Sequence, residues 1–595
     1  MMKLFLAISL LSTAALADTV TLDWTIEWKW VNPDGTPRPV IVVNDQWPPP
    51  TVTVNEGDRL VVHVTNKLWN ETTSIHFHGM YLKGSPEMDG ASGSLQCPIP
   101  PASTFTYDFT VDQVGTYWWH AHNKAQIIDG LRGPMVVNPK KAPWQGQVDG
   151  GELVITLGDW YHRQAPYLIR EYARTGTEIL PNSALINSGQ NTQFLVQPGK
   201  TYLLRITNIG NAAGQYFQVD GHDLTIVEAD GIYVEPYKVE QLYLAVSQRY
   251  AVLLTAKTAP AGNYLIKCQV DVGLFPFLSG GLSKDCYGYL MYDSTKPLPP
   301  KVPLLPGAPF DDIDLVTSTA NQYDQVEAYD KVDQQILLNL DFATIDGQTR
   351  ATINNSTYLT QRVPTLYTAL TTSSAALNPL VYGANSNPYL VSPGKVVEIL
   401  LINHDHRPHP FHLHGHTFQL IARSSSPPPS PLPPLPLSFI PSHPRPLRRD
   451  TVVLPAKGFI AIRFLADNPG VHLFHCHIEF HVEAGMTASI IESPEEMQKT
   501  VKIPEDHLQV CKRQGTKTEG NAAGRTGDGV LDLRGAVTRP DREVKGAVVG
   551  PLVLEGSDWS WMRGRTNGRW TPRSGGDWGW RNGSGVWPTG YRGGI

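Results

Sequence analysis

The sequence predicts an all-β protein of three sandwich-like domains. Segments such as PTVTVNEGDRLVVHVTN, GTYWWHAH and KVVEILLINHDH alternate polar and apolar residues or run apolar, and turn-forming residues bound them. Helical periodicity is scarce, and 49 Pro and 52 Gly among 595 residues favour short strands joined by turns. A chain of this length exceeds what one hydrophobic core can organise, so we expect several domains.

The boundaries of the domains follow from changes in composition. We place the three domains at residues 18–145, 146–298 and 335–512. A polar connector spans residues 299–334, and the ten Pro of residues 424–446 predict an extended, non-strand loop within the third domain. The tail, residues 513–595, becomes a mixture with 16 Gly, ten Arg and six Trp after Gly524. It has no sustained period, so we expect it to be disordered or poorly packed.

The N-terminus has the pattern of a secretory signal. Residues 1–17, MMKLFLAISLLSTAALA, combine a Lys, an apolar stretch and small residues near the end. Sequons at Asn70, Asn354, Asn355 and Asn582 are compatible with a secreted glycoprotein. No later stretch reaches the roughly 18 to 20 apolar residues that a membrane span needs. We therefore expect a secreted or cell-surface protein without a transmembrane segment. The net charge of −6 separately argues against nucleic acid as a partner.

Ten of the 19 histidines fall in four short clusters. These are His76 and His78; His120 and His122; His409, His412 and His414; and His475, His477 and His481. Residues i and i+2 of a β-strand point to the same face, so each His-x-His pair presents two imidazoles side by side. One such pair is more often structural, but four clusters together predict a site for Cu, Zn, Fe or Ni.

Cys476 lies between His475 and His477 and decides among these metals. In an extended strand the two histidines face one way and the cysteine the other, so they should serve two different metal centres. A thiolate with two histidines is the trigonal ligand set of a blue-copper site, which Cys476, His481 and one further His can supply. Zinc has no redox chemistry, and a structural zinc site is closed by four ligands. The pattern therefore favours copper and electron transfer between two centres.

The chain has five cysteines, an odd number for a protein of an oxidising compartment. Cys476 is the natural unpaired residue. Cys97 could pair with Cys511, and Cys268 could close a local hairpin with Cys286. The sequence leaves both pairings open.

The motifs SIHFHG, GTYWWHAH, HPFHLHGH and HCHIEFH occur in the order and spacing of the multicopper oxidases, which the chain resembles over residues 20–520. The resemblance implies three cupredoxin-like β-sandwich domains with Greek-key topology, and an oxidase that reduces dioxygen to water. It assigns a type 1 copper to His409, Cys476 and His481. It assigns a type 2 copper to His76 and His412, and a type 3 pair to His78, His120, His122, His414, His475 and His477.

Further roles also come from this resemblance. Met486 stands where the family has a weak axial ligand or a non-coordinating side chain. Asp89 and Glu479 resemble acidic residues that supply protons to the three-copper cluster.

Within the family, EMDGASGSLQCPI, RTGTEILPNSALIN and NSTYLTQRVPTL most resemble the fungal iron-transport ferroxidases. Glu178 and Tyr358 match positions associated with the iron site of that branch, and Fe(II) prefers oxygen ligands. Two other acidic positions are not matched: one falls near Pro276, and the other in the loop before Arg448. The Gly/Arg/Trp tail stands in place of the branch's membrane anchor.

These features support two substrate hypotheses. A ferroxidase of iron uptake would take Fe(II) and have an iron permease as partner. A laccase-like oxidase would take phenols or pigment precursors, and the apolar loop around Leu274 to Leu278 would suit such an aromatic donor. A copper-storage protein would explain the histidine clusters but not the His-Cys-His sequence between two centres.

Overall fold

The computed structural model describes residues 17–275, 281–305, 307, 310–321, 326–428 and 439–539. It also describes the backbone of three short strands, Val553–Glu555, Arg569–Pro572 and Trp578–Arg581. All but the last residue of the predicted signal lies outside the described residues. So do Pro276 and residues 429–438 of the Pro-rich loop.

The first region contains eight strands in two four-stranded sheets. They are β1 (Thr19–Val31), β2 (Arg38–Val43), β3 (Val52–Asn55), β4 (Arg59–Asn66), β5 (His76–His78), β6 (Thr104–Thr110), β7 (Gly115–His120) and β8 (Arg132–Asn138). The sheets have the orders β2-β1-β4-β6 and β3-β8-β7-β5. Their apolar faces enclose a shared core that includes Trp24, Phe77 and Trp119.

The second region contains eleven strands and one helix, α1 (Ala165–Thr175). The strands are β9 (Gly151–Trp160), β10 (Ser183–Ile186), β11 (Thr192–Leu195), β12 (Thr201–Asn208), β13 (Gln215–Val219), β14 (Leu224–Ala229), β15 (Ile232–Val239), β16 (Leu242–Leu244), β17 (Arg249–Thr255), β18 (Tyr264–Val270) and β19 (Asp285–Met291). They form sheets of order β10-β9-β12-β17-β14-β15 and β11-β19-β18-β13-β16.

The third region contains eleven strands in its two main sheets. They are β20 (Gln334–Ile345), β21 (Gln348–Ile353), β22 (Pro388–Val391), β23 (Val396–Asn403), β24 (His409–Leu413), β25 (Phe418–Ser424), β26 (Arg448–Arg449), β27 (Thr451–Leu454), β28 (Phe459–Leu465), β29 (Gly470–Cys476) and β30 (Thr487–Glu492). The sheets have the orders β21-β20-β23-β28-β25-β26 and β22-β30-β29-β24-β27. The Asp346-Gly347 turn joins β20 to β21 with both residues at positive φ, as a tight hairpin requires.

Four helices accompany these strands: α2 (Thr365–Thr371), α3 (Glu479–Glu483), α4 (Pro494–Thr500) and α5 (Glu505–Arg513). Single 3-10 turns occur at Pro86–Met88, Val272–Leu274, Asp312–Asp314, Ser373–Leu377, Pro379–Tyr382, Ala384–Ser386 and Gly527–Gly529. No helix in the described part of the chain has the length and apolar character needed to cross a membrane.

Cys97 and Cys511 form a disulfide that links the first region to α5. Cys268 and Cys286 lie directly opposite each other on β18 and β19, but both are buried free thiols. The Cys268 thiol instead donates to Gln215 Oε1 at 3.1 Å. The disulfide proposed for that hairpin is therefore absent.

Residues 513–539 correct our expectation of a disordered tail. The Gln361 amide donates to Val537 O at 3.2 Å and accepts from Val537 N at 3.1 Å. The Asn521 amide donates to the carbonyls of Val530 and Asp532 at 2.7 and 2.9 Å. This part of the tail is ordered, because the buried side-chain amides of Gln361 and Asn521 form hydrogen bonds with its backbone N–H and carbonyl groups.

Candidate metal centres

Eight of the ten clustered histidines, all except His409 and His481, meet between the sheet of β5 and β7 and the sheet of β24 and β29 and form the histidine cluster. Strand β5 pairs with β7 so that His76 lies opposite His120, and β24 pairs with β29 so that His412 lies opposite His475. The imidazoles of the two sheets then touch: His78 stacks on His412 with ring centres 3.7 Å apart. One group of potential ligand atoms, from His122, His414 and His475, lies within 4.8 Å of one another. The cluster joins the first region to the third.

The hydrogen bonds of these rings show which nitrogens are free. The Nδ1 atoms of His76, His120 and His475 lie 2.7, 2.9 and 2.8 Å from backbone carbonyl oxygens. A carbonyl only accepts, so each of these nitrogens carries the proton and the opposite nitrogen has a free lone pair. Nitrogens without a hydrogen-bond partner within the described structure include His76 Nε2, His78 Nδ1, His120 Nε2, His412 Nε2 and both nitrogens of His477. Buried, unpartnered lone pairs that converge in this way fit metal ions.

Burial also keeps these imidazoles in the form that binds metals. Burial, and then neighbouring imidazoles, lowers the pKa of His122 to about 3. The same two causes hold the pKa of His120, His475 and His477 well below the ordinary value. A neutral imidazole is the ligand form, so no proton has to be displaced at neutral pH.

A second centre lies on the other face of β29. Cys476 Sγ is 3.5 Å from His481 Nδ1 and 3.8 Å from His409 Nδ1, and these two nitrogens are 3.1 Å apart. All three side chains are buried. Met486 is fully buried. It lies beside this centre, since its carbonyl accepts a hydrogen bond from Cys476 N at 3.2 Å. His475 and His477 point into the histidine cluster, as the alternation of a strand predicts.

Two carboxylates contact the outer nitrogens of this thiolate centre. Glu178 Oε1 lies 2.6 Å from His481 Nε2, and Asp405 Oδ2 lies 3.2 Å from His409 Nε2. Arg407 bridges both acids, with Nη1 at 2.7 Å from Glu178 and Nε at 2.9 Å from Asp405. Although burial opposes it, the hydrogen bond from His409 and the charge of Arg407 keep the pKa of Asp405 below its usual range. Burial also opposes ionisation of Glu178, but His481 and Arg407 lower its pKa below the ordinary value, so both carboxylates are ionised at neutral pH.

Comparison with known proteins identifies this arrangement. Three family models described as multicopper oxidase match residues 25–142, 151–279 and 358–496, together more than half of the chain. The chain is a multicopper oxidase. It is therefore a copper-dependent oxidoreductase that uses dioxygen.

Relatives of this oxidase carry iron-transport names. It is 42% identical to the iron transport multicopper oxidase fetC of Epichloe festucae over 533 residues, which are 89% of this chain and 85% of the relative. It is 38% identical to the iron transport multicopper oxidase FET3 of Saccharomyces cerevisiae over 546 residues, 89% of this chain and 84% of the relative.

Solved structures show the same fold. The crystal structure of Fet3p, a multicopper oxidase that functions in iron import, matches with a TM-score of 0.82 and 37% identity, over 88% of this chain and 99% of that one. A laccase from Botrytis aclada matches with a TM-score of 0.73 and 28% identity, over 85% of this chain and 95% of that one. These matches confirm the predicted all-β, cupredoxin-like fold class.

The two predicted proton carriers of the oxidase, Asp89 and Glu479, differ in the direction in which their surroundings shift the pKa. Asp89 accepts from His414 Nδ1 at 2.9 Å, and although burial opposes it, His414 and His76 hold the pKa of Asp89 well below its usual range. Glu479 opens helix α3, and burial raises its pKa to about 8. At neutral pH Asp89 is thus an acceptor that orients His414, and Glu479 is a protonated acid.

The Tyr358 hydroxyl hydrogen-bonds to Ser94, and no hydrogen bond joins it to Glu178 among the described residues. The hydroxyl lies 2.5 Å from Ser94 Oγ, and the backbone N–H of Tyr358 donates to Gly485 O at 3.1 Å. The second carboxylate at the thiolate centre is Asp405, which the sequence analysis does not predict: it places this acidic position in the loop before Arg448. Its sequence signal was an acid four residues before His409, in HDHRPHP.

Asp450 is another site residue that the sequence analysis missed. Its Oδ1 lies 2.7 Å from Arg249 Nη1, and its Oδ2 lies 2.7 Å from Arg249 Nη2. Oδ1 also lies 3.3 Å from His78 Nε2. Its carbonyl accepts from His412 Nδ1 at 3.0 Å. One buried acid therefore orients two imidazoles of the cluster and joins the second region to the third.

Proposed function

We propose that the chain is a ferroxidase, which oxidises Fe(II) beside a type 1 copper and reduces dioxygen to water at a three-copper cluster. In this proposal the type 1 site consists of His409, Cys476 and His481, with Met486 beside it. The type 2 site consists of His76 and His412. The type 3 site consists of His78, His120, His122, His414, His475 and His477. When bound, the copper ions supply the one-electron steps between donor and dioxygen.

One observation carries this proposal: two carboxylates, the buried Glu178 and the largely buried Asp405, contact the histidines of the thiolate centre. Fe(II) is best held by oxygen ligands, and the ionised Glu178 and Asp405 provide them. Glu178 Oε2 and the hydroxyl of Tyr172 are also buried without a hydrogen-bond partner within the described structure. An oxygen without a partner at this depth is costly unless a cation or a proton donor binds to it.

The chain itself provides a route for the electron from this place. Each carboxylate is hydrogen-bonded to an imidazole of the thiolate centre, and Cys476 is covalently joined to His475 and His477 in the other cluster. The iron-transport names of the relatives at about 40% identity support the same donor. Asp89 and Glu479 would serve the proton supply that water formation requires.

A second candidate keeps the copper chemistry and takes a phenol. The half-buried ring of Phe342 lies 5.2 Å from His481 and 6.0 Å from His409, and it would stack against an aromatic donor. The apolar loop that we expected to receive such a donor contributes less, because Leu274 and Phe275 are buried in the core of the second region.

The cellular setting is part of the proposal. We infer a secreted or cell-surface glycoprotein, with an iron permease as the partner that would receive Fe(III). Asn70 and Asn355 are exposed and open to glycosylation, whereas the Asn354 amide donates to Leu337 O and is turned inward. Asn582 lies outside the described residues.

The test is steady-state kinetics with Fe(II) and with a neutral phenol. Loss of a charged ligand contact costs roughly 1.5–3 kcal/mol, so Glu178→Ala and Asp405→Ala should each lower kcat/KM for Fe(II) by about ten- to a hundredfold. Glu171→Ala, which removes an acid on the surface of α1 that forms an ion pair with Arg163, is the matched control. Blue absorption and copper content should be unchanged in all three. If Fe(II) is no better a substrate than the phenol, and Glu178→Ala changes nothing, the ferroxidase proposal fails.

A further inference from the structure

Arg407 occupies the place between the two carboxylates where a cation substrate would bind. Its Nη1 lies 2.7 Å from Glu178 Oε1 and its Nε 2.9 Å from Asp405 Oδ2. These are the same two oxygen atoms that contact His481 Nε2 and His409 Nε2. A guanidinium that binds both acids at once is their counter-ion.

The guanidinium also lies on the solvent side of the acids. The Arg407 side chain is 18% exposed, whereas Asp405 is 11% exposed and Glu178 is fully buried. Its central carbon lies 5.3 Å from the centre of the Phe342 ring, which is itself half-buried. The Arg407 side chain is thus the outermost of the three charged groups. The Phe342 ring offers the guanidinium a cation–π contact when it moves away from the two carboxylates.

The charges at this place allow one cation but not two. Two carboxylates and one guanidinium sum to a single negative charge, and the imidazoles that face them are neutral ligands of the thiolate centre. Addition of Fe(II) while Arg407 remained would put a surplus positive charge in a buried place and set two cations side by side. If the guanidinium moved out to solvent, Fe(II) would meet two free carboxylates and a balanced charge.

We propose that Arg407 is a specificity-determining residue, which fills the cation site of Glu178 and Asp405 and which Fe(II) must displace in order to bind. The inference rests on the proposed ferroxidase function and deepens it. Arg407 competes with the substrate, so it raises KM for Fe(II). It also keeps other weakly binding divalent cations out of the site.

The test compares Arg407→Gln and Arg407→Lys in the copper-loaded protein. Removal of the competing charge in Arg407→Gln should lower KM for Fe(II) by about tenfold or more, while kcat changes much less. The inhibition constant of Zn(II), a divalent cation without redox chemistry, should fall in parallel. Arg407→Lys retains a cation and should stay within about threefold of wild type.

Arg163→Gln, which removes an exposed Arg paired with Glu171, is the matched control and should change neither constant. A purely structural role would give the opposite sign, because a disordered pair of acids would bind Fe(II) more weakly. An unchanged or raised KM in Arg407→Gln, with Fe(II) oxidation intact in wild type, therefore overturns this inference alone. A wild-type protein that prefers the phenol to Fe(II) ends both the ferroxidase proposal and this inference.

Discussion

Substitution of Asp450 by Asn tests how strongly the buried charges hold the site together. Asp450 is 1% exposed and Arg249 is fully buried, and the two share a bidentate ion pair with both distances at 2.7 Å. The Asn side chain keeps the volume but removes the charge. The nearest remaining carboxylate for Arg249 is Asp230, at 3.6 Å, which Arg449 already binds at 2.9 Å. Arg249 would be left as a buried cation without a sufficient partner.

The cost follows from this loss. Removal of one partner of a buried ion pair destabilises a protein by roughly 3–5 kcal/mol. For a cooperative unit of about 150–250 residues, that loss lowers the melting temperature by about 6–20 °C. Because Asp450 Oδ1 also faces His78 Nε2 at 3.3 Å, the copper content of the histidine cluster should fall as well.

Scanning calorimetry of the copper-free protein measures the first effect. A double-mutant cycle with Arg249→Met separates the ion pair from other contacts, because removal of both charges should cost less than the sum of the two single losses. A loss below about 1 kcal/mol for Asp450→Asn, or additive losses in the cycle, would refute the reasoning.

Three further predictions concern the copper sites and their surroundings. Cys476→Ser should abolish the blue absorption and turnover but leave the copper of the histidine cluster bound; retained turnover would exclude Cys476 as the electron entry. Met486→Leu should raise the type 1 potential, measured by redox titration, and no change would show that the sulfur does not influence the metal. Burial raises the pKa of Glu479 to about 8, above the unfolded value, so its contribution to stability is complete below the unfolded pKa and is lost as pH rises through about 8. Glu479→Gln should flatten that decline in the copper-free protein, and an identical pH profile in both proteins would count against a buried neutral acid.

The parts of the site that are local in sequence could be predicted. Alternation along a strand is enough to place His475 and His477 on one face and Cys476 on the other. β29 ends at Cys476 and His477 follows it directly, and the two histidines contact the histidine cluster while Cys476 Sγ faces His481. The other histidine pairs lie on or just after β5, β7 and β24 for the same reason. The fold class also followed from strand patterns, because period-two alternation and turn residues are local signals.

The parts that depend on contacts between distant segments could not. Glu178 and Asp405 are 227 residues apart, and only the fold shows that Arg407 joins them. Tyr358 resembled a substrate residue in its sequence context, but its hydroxyl contacts Ser94. The ordered residues 513–539 were missed because composition does not reveal that Gln361 and Asn521 satisfy the backbone of the tail.

The most direct test of the central claim is anaerobic reduction of the type 1 copper by Fe(II), followed by stopped-flow loss of the blue absorption. Without dioxygen, the bleaching rate reports delivery of the first electron alone. We predict that the Glu178→Ala, Asp405→Ala double variant bleaches at least about a hundredfold more slowly with subsaturating Fe(II), while its bleaching by a neutral phenol changes less than about threefold. Equal rates with Fe(II) in the wild type and the double variant would contradict the account.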